Sequence, residues 1–193
     1  LEKSQHRIRQ RRGIVKDGLF KTILYTILGI GIMTALMTLT SITTPIEGVY
    51  IQFAYGYLAL FAGVAGAIPA AIVGFTGHVL FDLIYTDHLW LSWALSTGAL
   101  GFVFGFAIRR KSLRQGVFSE HDMIRFNVVQ AVVNIAIFGL IAPTLDVLFY
   151  QQSTTIVFTQ GWIASIVNLL TVAVFGTITL KLYTNYKLKQ NKQ

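Results

Sequence analysis

The sequence predicts an all-α fold, a polytopic membrane bundle of six transmembrane helices with both termini cytoplasmic. Of its 193 residues, 54% are hydrophobic and 12% charged, and the mean hydropathy is +0.61. Soluble domains do not show that balance. The apolar residues also fall in runs long enough to cross a hydrocarbon core, which takes about 17 to 25 residues in a helix. The cations fall between those runs in three clusters.

Leu19–Thr40 is the first run. The basic segment before it, residues 1–18, leads into it without a small-residue cleavage site, so this helix is expected to stay rather than to be removed as a signal peptide. Residues 50–85 are too many for one crossing and are interrupted at "GVAGAIP", Gly63 to Pro69, where glycine and proline favour a turn. Two short helices are expected there. Trp90–Ile108, Met123–Phe149 and Ile156–Tyr183 each supply one more crossing, and residues 184–193 form a basic tail. Everything from 1 to 193 reads as a single membrane domain, with no separate soluble domain, low-complexity linker or convincing internal repeat. Backbone in lipid must satisfy its hydrogen bonds internally, which makes a helical bundle the expected solution.

The cations test the count. Seven Lys or Arg lie in residues 3–21, five in 109–125 and four in 181–192, together all sixteen in the chain. Six crossings put the three clusters on one face, which the positive-inside rule makes cytoplasmic. The net charge of +8 is thereby explained by topology and contact with anionic lipid, and no nucleic-acid partner is expected. The opposite face holds "TTPIEGVYIQ", "YTDHLW" and "YQQSTTIVFTQ", with carboxylates and amides but no cation.

Polar residues within the apolar runs gather toward that cation-free face. His78 and Asp82 sit one turn apart in the third helix; Asn134 falls near the middle of the fifth and Asp146 near its outer end. On the sixth, Gln160 is outer and Asn168 central, while Gln52 and Tyr55 open the second helix and Trp90 and Trp93 the fourth. Ionisable groups in hydrocarbon cost at least a few kcal/mol each, so they persist where they pair, face a cavity or act. Amides, imidazole and aromatic rings in one half of a bundle are what a pocket for a polar solute needs. Other readings stand beside this one. Trp90, Trp93 and Tyr85 suit an interfacial aromatic belt, Asn134 and Asn168 suit helix-to-helix hydrogen bonds, and His78 with Asp82 suits a bracing i,i+4 pair or a proton relay. His78, Asp82 and His88 make too thin a ligand set for a metal, and with no cysteine in the chain neither metal nor cofactor is expected.

Missing motifs narrow the function. The chain carries no phosphate-binding G-x-x-x-x-G-K-[ST] loop, no G-x-S-x-G and no H-E-x-x-H, so neither ATP hydrolysis nor the common hydrolase chemistries are indicated. It is expected not to be an enzyme. Six helices without an inverted repeat also fit poorly with the usual secondary transporters. Three classes remain: a solute-binding transport subunit that borrows its energy, a proton-coupled permease or channel using His78 and Asp82, and an intramembrane enzyme or assembly factor. On the first helix, "GIGIMTALMT" sets Gly31 and Ala35 four residues apart on one face, extended by Thr34 and Thr38, where another backbone can approach.

Four stretches, Thr43–Asp82, Ser92–Phe106, Ile124–Leu148 and Phe158–Thr177, resemble the S components, the substrate-binding membrane subunits of energy-coupling factor (ECF) vitamin transporters. The resemblance is to the branch assigned variously to hydroxymethylpyrimidine, riboflavin or pyridoxine. It implies six helices with both ends cytoplasmic in a bacterial cell membrane, and a pocket in the outer half covered by the loop after helix one, here "TTPIEGVY". It implies docking through a small-residue motif, matched by Gly31 and Ala35, on a transmembrane coupling subunit that works with two ATPase subunits. The expected ligand contacts are Gln52, His78, Asp82, Trp93, Asn134, Asp146, Gln160 and Asn168, around a small heterocyclic vitamin, first hydroxymethylpyrimidine, then pyridoxine or riboflavin.

Overall fold

Apolar runs wound into helices account for nearly the whole computed structural model, which describes residues 2–86 and 88–193, with side chains from Gly18 onward. The basic side chains before Gly18, expected against anionic lipid, and Asp87 lie outside the described residues. In chain order the elements are α1 (Glu2–Leu39), a two-stranded antiparallel hairpin of β1 (Ile42–Thr43) and β2 (Tyr50–Ile51), α2 (Ala54–Ala65), α3 (Ala67–Thr86), α4 (Leu91–Ala107), α5 (Arg110–Arg114), α6 (Glu120–Tyr150) and α7 (Thr154–Gln190). Three stretches are π-helical: Asp82–Thr86 at the end of α3, Ile135–Ile141 within α6 and Val172–Gly176 within α7. In α6 the widened turn directly precedes Pro143, which lacks the N–H that would return to the preceding turn and whose ring crowds it.

Four helices, 18–39 of α1, α3, α6 and α7, have the length and composition to cross a membrane. The other two expected crossings are shorter, α2 with 12 residues and α4 with 17. At about 1.5 Å rise per residue, α2 reaches only about 18 Å. The split of residues 50–85 is unequal, because Gly66, at φ +102, ends α2 and opens α3. Several boundaries move. Tyr50 and Ile51 pair as a strand, so Gln52 precedes α2 rather than opening it, and Trp90 precedes α4. The helix of α1 begins upstream of Leu19, and α7 continues past Tyr183 to Gln190.

Large apolar side chains cover the outside: Phe20, Leu39, Phe106, Leu148 and Phe149 are all exposed. In water such a surface would drive aggregation, whereas in lipid it is the expected exterior. Inside, Met33, Met37, Leu58, Phe104, Phe126 and Phe138 are fully buried. The closest helix pair is α3 with α4, joined through glycine. A Cβ on Gly101 would lie 2.5 Å from the Ala70 carbonyl oxygen, and one on Gly105 2.3 Å from the Ala67 Cα. Small residues allow this in the absence of a hydrophobic driving force between helices.

The two ends of the bundle differ in chemistry. At one end, Arg110 and Arg114 both donate from Nη2 to the Val64 carbonyl, at 3.1 and 3.0 Å, covering the α2–α3 turn with the cationic connector that contains α5. At the other end lie the C-terminus of α1, the hairpin, the N-terminus of α2, the α3–α4 connection and the α6–α7 turn. Those loops carry no Lys or Arg.

Gly105→Val is expected to lower stability by about 1 to 3 kcal/mol through overpacking against Ala67, read as a fall in the thermal unfolding midpoint in detergent. An unchanged midpoint would mean that α3 and α4 do not meet backbone to backbone.

Candidate functional site

The cation-free end encloses a cavity of about 390 Å³, within the range of small-molecule sites. Seven of the eight residues expected to contact a ligand line it: Gln52, His78, Asp82, Trp93, Asp146, Gln160 and Asn168. They come from five parts of the chain, and each is positioned by its neighbours.

His78 and Asp82 share one face of α3 because four residues make about one turn. His78 Nε2 lies 3.5 Å from Asp82 Oδ1, but both groups have closer partners across the α3–α4 seam. His78 Nδ1 is 2.7 Å from Thr97 Oγ1, and the Thr97 hydroxyl donates to the Trp93 carbonyl at 3.0 Å. With the single hydroxyl proton so used, Nδ1 is the donor to Thr97 and Nε2 faces Asp82. Asp82 Oδ2 accepts from the Trp90 backbone N–H at 2.9 Å, which ties the α3–α4 connection to the top of α3. The expected pair is therefore braced more by α4 than by itself.

On the facing wall, Asp146 accepts from the Ser92 hydroxyl and from Trp93 Nε1, the latter at 2.7 Å. This fixes the indole plane of Trp93 against the cavity and joins α4 to α6. Above it, Tyr150 accepts from the Leu91 backbone N–H at 3.1 Å and packs edge-on against Trp90 at 5.2 Å. Asn168 projects from α7 into the cavity beside the Tyr55 hydroxyl.

The hairpin after α1 forms the roof. Gln52 fastens its root, donating from Nε2 to Ser41 Oγ at 2.8 Å and to the Met37 carbonyl at 3.3 Å. Thr44 closes the turn, its hydroxyl 2.9 Å from the Val49 carbonyl. Gln160, on α7, donates from Nε2 to the Glu47 carbonyl at 2.9 Å, across 113 positions of sequence. Gln160 thus acts on the roof as well as lining the cavity.

Asn134 is the exception. It is fully buried but does not line the cavity. Its Nδ2 donates to the Gln130 carbonyl at 2.9 Å and to Gln130 Oε1 at 3.0 Å, within a polar seam in which Gln130 reaches the Leu169 carbonyl at 3.3 Å and Asn127 reaches Thr177 Oγ1 at 2.9 Å. The seam joins α6 to α7 by the inter-helical hydrogen bonding common in membranes. Thr34 likewise turns inward, buried against Gly77, rather than extending the outer face of α1. Gly31 and Ala35 are exposed on that face, with no atom within 4 Å of a Cβ built on Gly31.

Sequence reasoning missed Thr97, Ser92 and the aromatic wall of Tyr50, Phe81 and Tyr85. Phe81 stacks on Tyr85 at 5.2 Å, and Tyr50 stands edge-on to both. Thr97 was findable one turn after Trp93, on the same face of α4. Among the described residues no three metal-binding side chains converge.

A membrane bundle with a roofed, aromatic and polar cavity at one end has the architecture of a solute-binding membrane subunit. The chain belongs to the ECF-type riboflavin transporter, S component family, whose model matches residues 19–185. Members of that family are substrate-binding membrane proteins of ECF importers, not catalytic enzymes, and work with a coupling T component and ATPases. A UPF0397 protein of Lactococcus lactis subsp. cremoris (strain SK11) is 40% identical over 175 residues, covering 91% of this chain and 93% of the relative. A UPF0397 protein of Enterococcus faecalis is 38% identical over 169 residues, 86% of this chain and 92% of the relative, and one of Lactobacillus acidophilus is 39% identical over 163, 84% and 88%. No solved structure matches.

Removing the Gln160 amide should loosen the roof. In Gln160→Ala, backbone amides of residues 44–49 are expected to exchange with deuterium faster while the helices keep their protection, and equal exchange in mutant and parent would remove Gln160 as the fastening.

Proposed function

We propose that this chain captures a flat, uncharged heterocyclic vitamin or vitamin precursor in the roofed cavity and passes it inward while docked on an ECF coupling subunit driven by two ATPase subunits. The observation that carries this reading is the meeting of Gln52, His78, Asp82, Trp93, Asp146, Gln160 and Asn168 around one cavity, beneath the loop after α1. The aromatic wall offers faces for stacking. Asn168 and the His78–Asp82 edge offer groups that read ring nitrogens and exocyclic amino groups.

The cavity's end of the bundle faces outward in this reading, with six crossings, both termini and all cationic segments inside a bacterial cell membrane. Exposure of Gly31 and Ala35 on the outer side of α1 supports docking there, since a second backbone can approach that face closely. Hydroxymethylpyrimidine remains the first candidate for its amino group and ring nitrogens, with pyridoxine next. Riboflavin is favoured by the description of the matching family, and a volume equal to about thirteen waters at about 30 Å³ each leaves room for more than one ring.

The direct test is mass spectrometry of small molecules released on denaturing the purified protein, followed by titration with all three candidates. A stoichiometric heterocycle is expected; an empty protein that binds none of the three would end the vitamin reading.

Asn168→Ala is expected to weaken binding by about 1 to 3 kcal/mol, the cost of an unmet buried hydrogen bond, whereas Asn134→Ala should leave the dissociation constant within about twofold, because its bonds lie in the α6–α7 seam. The reverse pattern, measured by calorimetry, would move the site. Gly31→Leu should abolish uptake in cells while binding by the isolated chain persists. Unimpaired uptake would remove this face of α1 from the docking surface.

A further inference from the structure

Thr97 stands behind the cavity wall rather than in it. It is fully buried and does not line the cavity, yet its hydroxyl meets His78 and the Trp93 carbonyl and lies beside the Tyr55 hydroxyl, and all three of those residues are in the lining. Its place follows from glycine. A Cβ on Gly74 would lie 2.6 Å from the Thr97 carbonyl oxygen, so α3 and α4 run backbone to backbone there. The side chain one turn further along α3, His78, thereby comes within 2.7 Å of the Thr97 hydroxyl.

That hydroxyl leaves the imidazole one arrangement. A threonine hydroxyl has a single proton and two lone pairs. The Thr97 proton goes to the Trp93 carbonyl at 3.0 Å, a bond within its own helix of the kind that threonine makes in apolar helices. What faces His78 is therefore an acceptor, and Nδ1 must carry a proton to meet it. The other nitrogen, Nε2, is turned to Asp82 Oδ1 at 3.5 Å. A proton passed between Nε2 and that carboxyl group leaves Nδ1 protonated in either state. On the remaining sides, Phe81 stands edge-on to the ring at 6.0 Å, and the Thr34 hydroxyl of α1 is directed to the Gly77 carbonyl. A buried imidazole keeps the tautomer whose N–H is bonded, because an N–H without an acceptor has given up its hydration for nothing.

We propose that Thr97 is a positioning residue for ligand binding: it fixes the proton on His78 Nδ1 and the plane of the ring, so that Nε2 is the atom held toward Asp82 and the cavity. This rests on the binding function proposed above. The ligand itself never touches Thr97. Without the hydroxyl, the Nδ1 proton has no acceptor, the tautomer with its proton on Nε2 takes over, and the hydrogen-bonding sense of the His78–Asp82 edge reverses.

The test uses the full chain in lipid nanodiscs, isotope-labelled at the histidine ring nitrogens and read by solid-state NMR. The chain has four histidines, and the His78 signals are those lost in His78→Gln. Parent and Thr97→Ser are expected to show Nδ1 of His78 as a protonated, pyrrole-type nitrogen. In Thr97→Val, which keeps the shape and removes the hydroxyl, it is expected to become pyridine-type; should that variant fail to fold, Thr97→Ala is read in the same way. Ser96→Ala is the control and should match the parent, since the Ser96 hydroxyl is also buried on α4 but finds no partner among the described residues. An unprotonated Nδ1 in the parent overturns the proposal. So does an Nδ1 that stays protonated once the hydroxyl is gone, because Asp82 would then place the proton without Thr97. Calorimetry with hydroxymethylpyrimidine, pyridoxine and riboflavin gives the second readout. Whichever of them binds the parent is expected to bind Thr97→Val about tenfold more weakly and Thr97→Ser within about threefold of the parent; equal affinity of Thr97→Val and parent removes Thr97 from the binding function. If none binds the parent, the vitamin reading fails, and the nitrogen spectra alone decide whether Thr97 places the His78 proton.

Discussion

Polar groups withdrawn from water must find partners inside the protein, and this requirement shapes the cation-free end of the molecule. His78 and Asp82 occur in a run apolar enough to cross a membrane, and each is met from outside its own helix, by Thr97 and by the Trp90 backbone. Asp146 is met by Ser92 and Trp93. These bonds cross from α3 to α4 and from α4 to α6, so the groups that line the cavity also hold its walls together. The same constraint explains why the roof is fastened through side-chain amides. Gln160 completes the Glu47 carbonyl of the hairpin loop, and Gln52 completes the Met37 carbonyl in the last turn of α1.

Stiffness follows from how the helices meet. Where α3 and α4 touch, glycine brings backbone against backbone, so the pair carrying His78, Asp82, Trp93 and Thr97 behaves as one plate. The other wall is built differently. Both α6 and α7 contain widened turns, and they are joined through the amides of Asn127 and Gln130 as well as by a close approach at Gly161, where a Cβ would run into the Phe138 carbonyl and Pro143. Asp146, Gln160 and Asn168 therefore sit on a wall whose geometry is set by side-chain hydrogen bonds together with the glycine contact at Gly161.

Much of this was legible in the sequence because lipid imposes a coarse and reliable code. Apolar run length located the helices, and polar residues inside those runs pointed to the cavity, since each is too costly to place idly. Asn134 shows where that logic stops. An amide in mid-membrane bonds equally well to a ligand or to a neighbouring helix, and only the rotation of α6 decides; Asn134 turns to Gln130 while Asn168 turns to the cavity. Thr34 fails for the same reason, sharing a run with Gly31 but turning to Gly77. The hairpin was not legible because its two-residue strands are too short to show an alternating pattern, and Thr97, though one turn after Trp93, gives only a weak signal because a threonine in an apolar helix usually bonds its own backbone, as it also does here.

The fastening between Glu47 and Gln160 also imposes an order in time. A chain made from its N-terminus has the loop, His78 and Asp82 in place long before residue 160 exists, and Asp146 and Asn168 arrive in the same late portion. Until then the nascent molecule has half a pocket, its roof tied only at the α1 root through Gln52. Contacts of such long sequence separation are slow to form, so completion of the cavity waits on the last helix, and a chain shortened before α7 would be left with an open polar cleft facing lipid.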